Sequence, residues 1–499
     1  MTDADLPIPE EFRDNPLTQP RLDKRAALAA AGVDPYPYRF DPTDKATSLQ
    51  ARYAELPDDT VTEDTVRVAG RIRALRNSGM FIDLHDASGK IQIFSHKDYL
   101  DDAGQALLAQ LDIGDMLGVE GAVRRTRRGE LTVNATSLTV LAKALLPLPE
   151  KYHGLTDQEA RYRQRYLDLI MNEDSRDTLR ARSRIIASIR AELEARGFLE
   201  VETPMLQSLQ GGAAARPFVT HHNTLDMDMF LRIAPELYLK RLIVGGLSDR
   251  VFEIGRCFRN EGISPRHNPE FTMLEMYQAY ADWTDMMEVV EALLSRAALA
   301  ATGGTRVAYG DREIELAGPY PRMTMIELVA KATGVDFGAI EGADAARAAA
   351  RGLGVEVPLK ANWGQTIEAV FGDKVEDTLI QPIHVTGFPR EISPLAKADR
   401  SDPRLTERFE TYVNGWEVAN AFSELTDPLD QFSRFQAQVD ARAAGDEEGM
   451  MMDMDYVTAL GYGLPPTGGM GMGVDRLTML LTDSPSIRDV IAFPTLRPR

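Results

Sequence analysis

Apolar and polar residues alternate from Val66, where Val66-Arg67-Val68-Ala69-Gly70-Arg71-Ile72 has the period of two of a half-buried strand. The runs Met80–Leu84 and Lys90–Phe94 follow, split by a turn at Ala87-Ser88-Gly89, and read as two more strands. A helical stretch over Asp98–Gln110 and strands over Asp115–Arg124 and Glu130–Leu141 complete the segment. Strands, one helix and two more strands in this order predict an OB-fold, a small β-barrel that often binds oligonucleotides. Upstream, residues 1–65 read as an irregular lead-in with one helix, Lys24–Ala31, broken by Gly32 and Pro35-Tyr36-Pro37. Downstream, Ala144–Pro149 is a linker stiffened by two prolines. The period then becomes helical: Leu179, Ile185, Ile186, Ile189 and Leu193 fall on one side of Asp177–Arg196, and Gly197 stops it. Arg250–Cys257 is β-rich, apolar spacing over Met273–Ala281 reads as helix, and Asp344–Leu353 is an Ala/Arg helix. Strands and helices do not alternate regularly. This favours an α+β domain, an antiparallel sheet flanked by helices, over a doubly wound one. The predicted division is 1–65 lead-in, 66–146 OB-fold barrel and 147–499 α+β domain.

Composition narrows the function classes. The 499 residues are 44% hydrophobic and 26% charged, which excludes a disordered chain. No run of about 18 apolar residues predicts a membrane span, and the start of the chain lacks the basic flank and apolar run of a signal peptide. The single cysteine, Cys257, excludes an internal disulfide and a Cys-cluster zinc site, and suits a reducing cytoplasm. A net charge of −20 argues against a general nucleic-acid coat. Residues 66–145 differ, with 11 Lys/Arg against 9 Asp/Glu and the run Arg124-Arg125-Thr126-Arg127-Arg128. That run is either a nucleic-acid contact or a solvated basic hairpin. Phe81, Gln92 and Phe94 are either a face that stacks on and hydrogen-bonds unpaired bases or, for the two aromatics, barrel core.

Gly468-Gly469-Met470-Gly471-Met472-Gly473 lacks the Lys-Ser/Thr of a phosphate loop, and Val474 stands where dinucleotide spacing needs a third Gly. Its predicted role is close backbone packing or room for a flat ligand. His221-His222 would point to opposite faces of a strand, a poor metal pair. The segment from Arg250 to Asp282 reads as a strand, a basic loop and a returning strand, so the residues after Met273 carry two conflicting readings. As strands, the pair would present Arg259 and Glu261, then Phe271, Glu275 and Tyr277, on one side. An Arg that forks onto phosphate and a Phe that stacks on a base suit a nucleotide floor. Ordinary surface ion pairs are the alternative.

Phe258-Arg259-Asn260-Glu261 with His267-Asn268-Pro269-Glu270-Phe271 resembles motif 2 of the class II aminoacyl-tRNA synthetases. Gly471–Leu477 resembles motif 3 and Gly197–Pro204 motif 1, all in the family's order. The barrel is similar to the anticodon-binding domain of the subgroup charging aspartate, asparagine and lysine. Gly211–Phe218, Thr220–Asn223, Ala234–Lys240, Gln381-Pro382 and Glu391–Lys397 resemble the bacterial form of its lysine-charging branch.

The resemblance implies a ligase of protein biosynthesis with L-lysine, ATP and tRNA(Lys) as partners, Mg2+ as cofactor, and a homodimer joined through motif 1. It implies catalysis by Arg259 and Arg476, with Arg259 on the α-phosphate and the substrate carboxylate. Glu261 and Asn268 would face the adenine stacked on Phe271, and Arg266, His267 and Arg476 the outer phosphates. Glu410 and Glu417 would hold magnesium, brought together by a turn at Asn414-Gly415. Glu236 and the Gly212 carbonyl would take the α-ammonium. Glu424 and Tyr277 would take the ε-ammonium, in a pocket shaped by Glu275, Asn420 and Phe422. Phe81, Gln92 and Glu130 would read the anticodon. The surplus of Glu around one Arg suits a dicationic substrate, because a buried charge needs a partner. Trp416 where a basic residue is usual, Ala421 where Gly is usual, and a short Arg73–Met80 loop depart from the pattern. The alternatives are an aspartate- or asparagine-charging enzyme of the subgroup and a non-catalytic nucleic-acid-binding paralogue. A protein-modifying ligase of this catalytic type would lack the barrel.

Overall fold

The computed structural model describes residues 7–149, 155–443 and 449–498. The first residues of the lead-in lie outside them. The chain forms two compact units, Met1–Gly154 and Leu155–Arg499.

In the first unit, β1 (Thr60–Arg76), β2 (Phe81–His85), β3 (Lys90–Phe94), β4 (Met116–Arg125) and β5 (Leu131–Ala142) close a barrel in the order β1-β2-β3-β5-β4. The alternation read in the sequence is the burial alternation: Val66, Val68 and Ile72 point inward, and their neighbours do not. Closure explains why none of these strands leaves an edge exposed. A short helix, Asp102–Leu108, stands between β3 and β4. The lead-in is more structured than its sequence suggested. Helices Thr18–Ala30 and Ala46–Arg52 put Leu28, Ala46 and Leu49 into the same apolar core as the barrel. Arg21 ties the first of them to the barrel by donating to the carbonyls of Ala144, at 2.8 Å, and Ile113, at 2.9 Å.

The second unit is built on one large sheet. Its strands are β6 (Leu199–Glu200), β7 (Arg250–Phe258), β8 (Glu270–Ala279), β9 (Arg322–Thr324), β10 (Ile383–Thr386), β11 (Arg408–Val413), β12 (Trp416–Ser423) and β13 (Thr467–Gly473). They lie in the order β9-β10-β11-β12-β13-β8-β7-β6. Every neighbouring pair is antiparallel except the two at the edges, β9 with β10 and β6 with β7. Helices Glu173–Ala195 and Trp283–Thr302 cover one face, burying Ile185, Ile189 and Leu193 with Met286, Val290 and Leu294. The helical reading of Met273–Ala281 is corrected here, for Met273 to Ala279 are the body of β8. A central strand is covered on both faces and loses its clean alternation. Leu274 and Met276 enter the helix-covered core, while Glu275 and Tyr277 are buried on the other face. Four large residues in succession then mimic a helical stripe.

Cys257, on β7, is fully buried opposite Phe271 of β8, and burial pushes its thiol up to about 12.

Candidate functional site

Strand register builds the site before any side chain is considered. Across β8, β13 and β12, Tyr277 pairs with Gly469, which pairs with Phe422; one step along, Glu275 pairs with Gly471, which pairs with Asn420. Residues paired across neighbouring strands point to the same face. The glycine run therefore leaves the middle of the sheet bare, with Glu275 and Tyr277 on one side and Asn420 and Phe422 on the other. A cavity of about 230 Å³ lies over this floor. At Gly469 the space is committed: a Cβ there would come 2.0 Å from Glu424 Oε1 and 2.5 Å from the Tyr277 ring.

The acidic end of the cavity is crowded. Glu236 opens the helix Glu236–Val244, and Glu275 accepts a hydrogen bond from the Tyr277 hydroxyl at 3.0 Å. Burial raises Glu275 to about 8, with the nearby Glu236 carboxylate as the next cause. Burial also raises Glu236, against the pull of Lys240. Glu253, paired with Glu275 across the strands, is instead satisfied by Arg232 at 2.5 Å. Glu424 lies behind the cavity wall. It is 1% exposed and is absent from the cavity lining. One oxygen is ion-paired with Lys240, and Oε1 has no hydrogen-bond partner. Lys240 was missed in the sequence, although its position one helical turn after Glu236 is the usual signal of an ion pair.

At the other end, Arg259 follows directly on β7 and lies 5.1 Å over the Phe271 ring. Its Nε is buried without a hydrogen-bond partner, as is Asn268 Oδ1, while Asn268 Nδ2 donates to the Glu270 carbonyl at 2.6 Å. Glu261 and Gly212 also line the cavity. Arg266 and His267 come from the β7–β8 loop. Arg266 lies over Trp416 at 5.3 Å, so the aromatic departure at this position gives the guanidinium a shelf. His267 Nδ1 is 2.8 Å from Ser264 Oγ, and burial and Arg476 hold the ring below its usual range. Arg476, from the helix Val474–Leu481, donates to the Glu417 carbonyl at 2.9 Å and its carboxylate at 3.3 Å. Two residues that the sequence reading passed over brace this end. Arg182 donates to Asp475 at 2.6 Å, and Asp475 accepts from the Thr272 amide at 2.6 Å.

Glu410 and Glu417 stand on the β11–β12 hairpin, whose two-residue turn is Asn414-Gly415 with φ of 57° and 70°. Positive φ at both positions is the signature of a tight primed turn. A bulge between Thr411 and Tyr412 shifts the register, so the hairpin and the bulge both operate. Glu417 lines the cavity and Glu410 does not. Glu410 accepts from Arg408 Nη2 at 2.5 Å and from the Tyr412 hydroxyl at 2.7 Å. Burial, and next the neighbouring Glu417, raise Glu410 to about 7. Among the described residues no group of three or more His, Cys, Asp or Glu side chains is placed to hold a metal ion.

On the barrel, Ile82 and Ile93 are core, whereas Phe81 and Phe94 are half-buried outside it, their rings 5.1 Å apart. Phe81, Gln92 and Glu130 line one surface cleft of about 640 Å³ with Arg76 and Arg124–Arg128. The Arg124 guanidinium lies 4.5 Å over Phe94. Not all of the basic run is free. Arg125 donates to the carbonyls of Gly129 and Tyr53, at 2.8 and 2.6 Å, and Arg127 to Asp59 at 3.0 Å.

A five-stranded barrel, followed by a largely antiparallel sheet whose central cavity is lined by Arg259 and Arg476, defines a class. The chain belongs to the tRNA synthetases class II (D, K and N), whose family model matches residues 157–497, and an OB-fold nucleic acid binding domain matches residues 66–141. Among its relatives are the Lysine–tRNA ligases of Sinorhizobium medicae (strain WSM419), 55% identical, and Rhizobium meliloti (strain 1021), 56% identical, each over 96% of both chains. That of Carboxydothermus hydrogenoformans is 53% identical over 97% of this chain and 99% of its own.

Proposed function

We propose that the chain ligates L-lysine to tRNA(Lys) with ATP, through lysyl-adenylate. The observation that carries this reading is the imbalance of charge: Glu236 and Glu275 line one end of the cavity with Glu424 buried behind them, three carboxylates against the one cation Lys240, and Arg259 waits at the other end. Lysine brings two ammonium groups and one carboxylate, the complement of that arrangement. An aspartate site would need a second cation facing the cavity where these carboxylates stand, and Lys240 lies behind its wall. Glu236 and the Gly212 carbonyl receive the α-ammonium; Tyr277 and the free oxygen of Glu424 receive the ε-ammonium. Asn420 and Phe422 close the side wall, and Glu275 orients Tyr277.

The lysine carboxylate attacks the α-phosphorus of ATP in line, and pyrophosphate leaves. The terminal ribose 3′-hydroxyl of tRNA then attacks the carbonyl and displaces AMP. No side chain needs to become covalently attached. Arg259 holds the α-phosphate against the carboxylate, so catalysis is positioning plus stabilisation of charge. Phe271 stacks on the adenine beside Asn268 and Glu261; Arg266, His267 and Arg476 take the outer phosphates. Glu410 and Glu417 suit magnesium, which needs few carboxylates when phosphate and water supply the other oxygens. Their mutual repulsion is what a divalent cation relieves. Magnesium would neutralise charge on the phosphates. Phe81, Gln92 and Glu130 read the anticodon, the enzyme is a homodimer joined at motif 1, and its place is the cytoplasm. No described helix is long and apolar enough to cross a membrane.

ATP–pyrophosphate exchange measured with each amino acid tests this reading. Exchange dependent on lysine is the expected result; exchange driven by aspartate or asparagine, or by none, would overturn it.

A further inference from the structure

Behind the two carboxylates assigned to lysine lies a lysine of the protein itself. Lys240 is completely buried, with Nζ 2.5 Å from Glu236 Oε1 and in an ion pair with Glu424. The rings of Phe422, Tyr277 and Tyr456 surround it, with Nζ 5.5, 5.7 and 5.9 Å from their centroids. It does not line the cavity, whereas Glu236 and Tyr277 do. We infer that Lys240 is a positioning residue for substrate selection: it clamps Glu236 to Glu424 and brings the charge of the pocket, once its carboxylates are ionised, to match lysine. The inference rests on the lysine site proposed above.

With all three pocket carboxylates ionised, the state that a bound dication draws out, the single ammonium of Lys240 leaves the pocket short of two positive charges, and lysine carries two. Without Lys240 the deficit would be three. Buried carboxylates without cations neutralise by taking up protons, and a protonated carboxyl no longer pairs with an ammonium. Glu236 and Glu424 come from different segments, one at the start of a helix and the other just after β12. Lys240 is the charged group seen to touch both, so it also fixes their separation, which an extended dication must span. The aromatic enclosure fits this role, because ring faces stabilise an ammonium that water cannot reach.

The test uses the full chain in lysine-dependent pyrophosphate exchange. Lys240→Met fills the same volume without charge. It should raise the KM for lysine on the order of 10- to 1,000-fold, as losing one member of a buried charge cluster does, with the KM for ATP unchanged. Lys240→Gln, a milder replacement, should move the same constant in the same direction, and it serves if the Met variant fails to fold. Lys240→Ala leaves room for a small cation, so ethylamine should restore part of its lysine use and none of that of the Met variant. A normal KM for lysine in a folded Met or Gln variant would reduce Lys240 to packing and overturn the inference. So would equal losses for lysine and ATP. Glu424→Gln, assayed alongside, separates the two layers. If it impairs lysine use while Lys240→Met is silent, only the inference about Lys240 falls. If Glu424→Gln is silent, the lysine site itself has been placed wrongly.

Discussion

Glu275 is a buried carboxyl on the cavity floor whose charge is costly in the empty site. Burial raises it from 4.5 to about 8, so at neutral pH it holds a proton that the unfolded chain has lost. Such a group stabilises the fold fully below pH 4.5, and that stability is lost as pH rises through about 8. Lysine bound as proposed would supply the missing positive charge and remove the need for the proton. Thermal melts should therefore show a larger lysine-induced rise in Tm at pH 8 than at pH 6, and Glu275→Gln should abolish the difference. Arg259→Ala should eliminate exchange while leaving the melting temperature close to wild type, because the buried Nε contributes no hydrogen bond to the fold. Glu424→Gln should weaken lysine use by about 2–5 kcal/mol, as for a broken buried charge pair, read from kcat/KM.

At the scale of elements, turns and glycines position the chemistry. Gly469→Ala would drive a methyl group into Glu424 and Tyr277, so lysine use should fall while the KM for ATP is retained. Gly415→Ala should cost about 1–2 kcal/mol for its left-handed backbone, and its Cβ would sit 3.1 Å from Asp377 Cα. A rise in the magnesium requirement of that variant would separate a shifted hairpin from simple destabilisation. The barrel strands were legible because each has one wet face, and the period of two survives in the sequence. β8 was legible only as one of two conflicting readings, because both its faces are covered and its polar members, Glu275 and Tyr277, are as buried as its apolar ones. The motif residues were readable singly, but their convergence was not. It depends on register between strands nearly two hundred residues apart, such as Tyr277 with Gly469. Lys240 escaped for a related reason: its partner Glu236 is a turn away, but Glu424, which gives it a role, is distant in sequence.

For the whole molecule, reading the tRNA and activating the amino acid fall to separate units. The barrel carries the basic run within a chain of net charge −20, and the residues assigned to adenylation lie in the second unit. Phe81→Ala should lower tRNA charging relative to exchange in the same preparation, since stacking on a base is worth roughly 1–3 kcal/mol. An equal fall in both rates would mean that the ring supports the barrel instead. Light scattering of the active enzyme should find a species of twice 55.3 kDa. The burial of Cys257 has a practical side here. A thiol sealed in β7 and reluctant to ionise does not react with maleimides, and the chain has no other. A single cysteine engineered at Arg128, on the exposed rim of the barrel cleft, would accept a fluorophore without first stripping the background. Arrival and departure of tRNA could then be followed one molecule at a time on otherwise unaltered enzyme.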